Sequence, residues 1–137
     1  MADDVRSTAR ISREKSTLYD RLVKEESSPF YGKDKTLVFI AAAALGFNRK
    51  KRSGLDADKQ DLFLVNLLRD KEQLWILKSI AISTEGVDTL KDIKKVTQIC
   101  EEYANEGISL LMDIYGAGVD PSRKMAEMMV DYKEGEA

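Results

Sequence analysis

Histidine is absent from all 137 residues. Without imidazole the chain lacks the commonest general base, the commonest nitrogen ligand for transition metals, and every Ser-His or Cys-His nucleophile pair. Most enzyme classes therefore fit poorly, and the expectation is a protein that is not an enzyme and uses neither cofactor nor metal. There is one cysteine, Cys100, so no intramolecular disulfide can form, which fits a reducing cytoplasm. Proline occurs twice and glycine eight times, leaving long unbroken stretches that favour helices. The longest apolar run, Leu37 to Leu45, falls well short of the roughly 20 residues that span a bilayer. The opening "MADDVRSTARIS" contains no apolar stretch of signal-peptide length, so the expected location is cytoplasmic, with no membrane partner.

What is present describes an ordinary soluble domain. Hydrophobic residues at 43% and charged residues at 34% suit a single core at this chain length. The net charge of −2 is unevenly placed: residues 1–60 carry +4 and residues 61–137 carry −6. A basic face turned toward an anion would produce such asymmetry, but folding can also mix the halves on one surface.

Periodicity predicts a first helix from about Ser16 to Glu26, ended by "EESSPFYGK". From Lys33 to Leu45 the apolar residues wrap the whole helix, which marks a central element enclosed by others. Ala41 to Ala44 allow close neighbours there, and Gly46 offers a left-handed stop with Phe47 folding back. The run Leu62 to Val65 suits either a buried strand or a helix turn, and residues 62–68 are read as helix. Asp70 opens a helix whose inner face is Leu74, Leu77, Ile80 and Ala81. The longest candidate begins at Asp88 and carries Ile93, Thr97, Cys100, Ala104, Gly107, Leu111 and Ile114 along one seam, with a kink expected at Gly107. Asp120 and Pro121 start a last helix with Met125, Met128 and Met129 on one face.

The expected architecture is all-α: a single-domain bundle of five or six helices around the alanine-rich helix. A flexible basic arm over residues 1–15, with a short strand as the alternative, precedes a helical domain over 16–133 and a frayed tail over 134–137.

Few constellations could carry chemistry. Cys100 lies on the apolar seam, where a thiol acts as a small hydrophobe. The adjacent acids Glu101 and Glu102 diverge on a helix and read as solvated surface. The glycines of "GISLLMDIYGAG" lack the strand-to-helix setting of a phosphate loop. The cluster Arg49, Lys50, Lys51 and Arg52 could neutralise several phosphates, or could simply complement the dipole of the helix end before it. Upstream, "ARISR" places Arg10 and Arg13 before two helices, the order of ribbon-helix-helix transcriptional regulators. Trp75 and the three methionines are the candidate surface for a protein partner or a second copy of the chain.

The segments "SPFYGKDKTLVFIAAAALGF" with its continuation "NRKKR", "LWILKSIAISTEGVDTL" and "ICEEYANEGISLL" resemble the Dnd system-associated protein 4 family, encoded beside DNA-phosphorothioation genes. The resemblance implies a bacterial or archaeal cytoplasmic setting and work alongside proteins that exchange a DNA phosphate oxygen for sulphur, or that restrict DNA lacking the mark. It assigns no site residue. Taken with the basic cluster, it implies a non-enzymatic accessory protein of anti-phage defence contacting DNA. The alternative is an assembly module docking on a modification or restriction enzyme or on itself.

Overall fold

The computed structural model of the protein describes residues 8–65, 68 and 71–116. In chain order the elements are β1 (Thr8–Ser12), α1 (Ser16–Lys24), α2 (Lys35–Asn48), β2 (Lys59–Leu64), α3 (Lys71–Glu85) and α4 (Ile93–Gly116). Short 3-10 turns at Arg13–Lys15 and Val87–Lys91 lead into α1 and α4. Four α-helices and a two-stranded antiparallel sheet among the described residues replace the expected all-α bundle of five or six helices.

The departure has a local cause. Residues 59–64 form a strand where a helix was expected over 62–68, because a partner strand is available in residues 8–12. Thr8 pairs with Leu64 and Ser12 with Lys59, and a bulge between Ala9 and Arg10 absorbs the register shift. Ala9 and Ile11 enter the core, and Phe63 meets Phe39 of α2 edge to face at 5.2 Å. Short apolar runs are equally good helix or strand, and only pairing over some fifty residues of chain decides this one.

α2 is the centre of the molecule, as its all-round apolar character predicts. Val38, Phe39, Ile40, Ala42, Ala43, Leu45 and Gly46 are all buried on it. α1 contributes Tyr19 and Leu22 to that core, and α3 contributes Leu77, Ile80 and Ala81.

The two glycines expected to interrupt helices instead bring helices together. α2 continues past Gly46 to Asn48, and α4 runs unbroken through Gly107. A methyl group on Gly107 would fall inside the carbonyl of Ala42, and one on Gly46 would overlap the carbonyl of Tyr103. Ala42 therefore lies on Gly107 and Gly46 on Tyr103, so the two helices run antiparallel at backbone contact, which only small residues permit. Val96, Ile99, Cys100, Ala104, Ile108, Leu111 and Ile114 of α4 complete the core. The expected start at Asp70 and the methionine helix with Met125, Met128 and Met129 lie outside the described residues. None of the described helices is long and apolar enough to cross a membrane.

Candidate functional site

The left-handed position that stops α2 lies at Lys50, four residues beyond the glycine expected there. The Lys51 N–H donates to the Gly46 carbonyl at 2.9 Å and the Lys50 N–H to the Phe47 carbonyl at 3.1 Å, the paired bonds of a Schellman cap. Lys50 occupies the left-handed position with φ 56°. Glycine is the usual residue at that position, and a side chain there costs about 1 kcal/mol.

The loop that follows is bound tightly to α4. The Ser53 N–H donates to the Glu102 carbonyl, and the Ser53 hydroxyl donates to Glu106 at 2.7 Å. Buried Asn105 joins three elements: its oxygen accepts from the Ser12 hydroxyl of β1, and its amide donates to the Ser53 hydroxyl and the Gly54 carbonyl. Phe47 packs edge to face on Tyr103 at 5.6 Å. The stretch "EEYANEG" is thus the seat of the basic loop.

Within that frame the six cations proposed from sequence divide into two groups. Arg52 reaches Glu102 at 2.9 Å and Glu85 at 3.4 Å, and its guanidinium lies 5.5 Å from the centre of the Tyr103 ring. Lys95 also pairs with Glu85, and together with Arg52 it holds that carboxyl below its ordinary range. Arg10 pairs with Asp61 and Arg13 with Asp58. Arg49, Lys50 and Lys51 make no ion pair among the described residues. β1 leaves Arg10 exposed but fully buries Ser12, so it offers no continuous polar face.

A second polar feature was not foreseen from sequence. Between the β-ribbon and the N-terminal half of α4 lies an open cleft of about 290 Å³ whose walls include Arg10, Lys59, Lys94 and Glu101. Glu101, read as solvated, is partly buried and its carboxylate accepts the Arg10 backbone N–H at 2.7 Å, closing the unpaired edge of β1. Burial pushes the Glu101 carboxyl up to about 7, against the opposing pull of that N–H and of the Arg10 and Lys59 charges. Lys94, Gln98 and Glu101 share one stripe of α4 at spacings of four and three, a signal visible in the sequence. Lys59 could not be connected to them while its segment lacked an assigned partner strand.

Trp75 stands 54% exposed and Ile76 41% exposed beside an apolar groove of about 460 Å³ between α2 and α3. Cys100 is buried, donates to the Leu77 carbonyl, and has its thiol pushed up to about 12 by desolvation, which favours the protonated form. Among the described residues no group of three or more acidic or cysteine side chains is gathered as if to hold a metal ion.

The family model for DNA sulphur modification system-associated protein 4 matches residues 8–136, nearly the whole chain. The chain belongs to that family. No curated protein and no solved structure matches it. Membership links the chain to a DNA sulphur modification system as one of its associated proteins, in agreement with the resemblance carried by the alanine-rich helix and the "EEYANEG" turn. Both segments are structural in this fold: one is the central helix and the other seats the loop after it.

Proposed function

We propose that this associated protein is a non-catalytic accessory factor that touches the DNA backbone through Arg49, Lys50 and Lys51. The observation that carries the reading is the contrast in pairing. The other three candidate cations are matched by acids, whereas these three cap a helix with no acidic partner among the described residues. Lys50 adds to it, because a lysine stands in this chain where glycine would be better tolerated. Contacts of this kind follow phosphate charge and carry no sequence information. A sulphur-substituted phosphate keeps its charge, so the loop should hold modified and unmodified DNA about equally. The reading also places the protein in anti-phage defence within the cell, where its partners would be DNA and the other proteins of the system.

The test is a salt titration of duplex binding. Changing Arg49, Lys50 and Lys51 together to alanine should weaken binding and flatten the log-log salt slope by roughly 2 to 3. Lys50→Gly alone should separate fold from function, raising stability by about 1 kcal/mol while lowering affinity. A folded triple variant with unchanged affinity and slope would sink the loop as a DNA contact.

A second reading rests on Trp75, a large side chain more than half exposed on an apolar groove. In it the groove docks another protein of the sulphur modification system. Trp75→Ser should then abolish co-elution with that protein without altering DNA binding.

A further inference from the structure

The cleft between the β-ribbon and α4 is distinct from the loop and has its own chemistry. Arg10 from β1, Lys59 from β2 and Lys94 from α4 converge on it, with Thr8 and Gln98 supplying further polar groups. Lys59 and Lys94 make no ion pair among the described residues. Among the described residues Arg10 gives only its Nε to Asp61, in a pair exposed enough to be weak, and its terminal nitrogens have no acceptor there. At about 290 Å³ the cleft has room for several water-sized groups but lies below the usual size of a pocket that encloses a whole cofactor. Three cations around a small wet concavity suit one compact anion.

We propose that this cleft binds a single phosphate group, held by Arg10, Lys59 and Lys94, with Glu101 at its wall as a charge gate. When the Glu101 carboxyl is neutral the three cations face the anion unopposed and the carboxyl O–H is an extra donor. When it ionises, it repels the anion and competes for the same cations. The groups around it are Arg10 from β1, Lys59 from β2, Lys94 and the buried Cys100 thiol from its own helix, and at longer range Glu102, which points away toward Arg52. Its titration falls near neutrality, so modest changes of pH switch the gate.

Dimethyl phosphate is the probe, because its single charge does not change over the range of interest. Titrated into the full chain and followed by amide NMR, it should move the Arg10, Lys59 and Gln98 signals saturably at about pH 6. Binding should be roughly tenfold weaker at about pH 8, as the gate ionises. Glu101→Gln keeps an acceptor for the Arg10 N–H but cannot ionise, so it should bind at about pH 8 as the native chain does at about pH 6. Lys59→Gln with Lys94→Gln should lose at least about tenfold. The triple loop variant should titrate like the native chain, so failure of the loop as a DNA contact and failure of the cleft are separately visible. A short DNA duplex run in parallel identifies the source of the phosphate. If it moves the same signals, the phosphate belongs to nucleic acid; if it leaves them still while dimethyl phosphate binds, the cleft takes a free small anion. Absence of saturable shifts at about pH 6, or an undiminished pH dependence in the Glu101→Gln chain, overturns the proposal.

Discussion

At the scale of the residue, Glu101 illustrates how position overrides type. Next to Glu102 in sequence, it points about 100° away on the helix, so one carboxylate pairs with Arg52 while the other closes the edge of β1. Its burial has a consequence for stability. The folded-state value of about 7 lies above the ordinary 4.5, so the native chain binds the extra proton over that window. The contribution of Glu101 to stability is then greatest below about pH 4.5, falls as pH rises through the window, and levels off above about 7. The full shift corresponds to at most about 3 kcal/mol, and partial exposure reduces it. Glu101→Gln should therefore match the native chain in urea unfolding at about pH 4.5 and exceed it by about 1 to 3 kcal/mol at about pH 8. A constant difference across that range would show that the carboxyl is not desolvated.

At the scale of the element, the helices were readable and their junctions were not. Seams such as Thr97, Cys100, Ala104, Leu111 and Ile114 follow from local spacing and are buried as expected. Gly46 and Gly107 were misread because a glycine that stops a helix and a glycine that admits a neighbour look the same until the neighbour is known. The same holds for β2, whose pairing partner lies far away along the chain. The packing reading makes a clear prediction about sign. On propensity alone Gly107→Ala should stabilise α4 by about 1 kcal/mol. Because the new methyl would collide with backbone of α2, which cannot rotate aside, the substitution should instead destabilise the fold by about 3 kcal/mol or more, read as a lowered urea midpoint. A neutral or raised midpoint would mean the helices are further apart than described.

At the scale of the whole molecule, the ribbon, the basic loop and the long helix are joined at Asn105. The basic cluster was legible as a candidate because four consecutive cations are conspicuous. That only three of them lack acidic partners among the described residues, and that Lys59 and Lys94 line one cleft with Arg10, depends on which groups the fold delivers to each, and no spacing rule contains that. Asn105 is the residue through which that delivery is organised, since it holds Ser12 on one side and Ser53 and Gly54 on the other. Removing its side chain leaves the buried Ser12 hydroxyl without its acceptor, at about 1 to 3 kcal/mol. Asn105→Ala should therefore lower the unfolding midpoint and, more specifically, raise hydrogen exchange at the Ser53 and Asp56 amides, which donate to the Glu102 carbonyl and the Ser12 hydroxyl. The cap at Lys50 and Lys51 is made within α2 itself and should keep its protection. DNA affinity should then fall only modestly with an unchanged salt slope, because the cations remain and only their mounting has loosened. Equal loss of protection at the cap and in the loop would place the anchor in α2 rather than in α4.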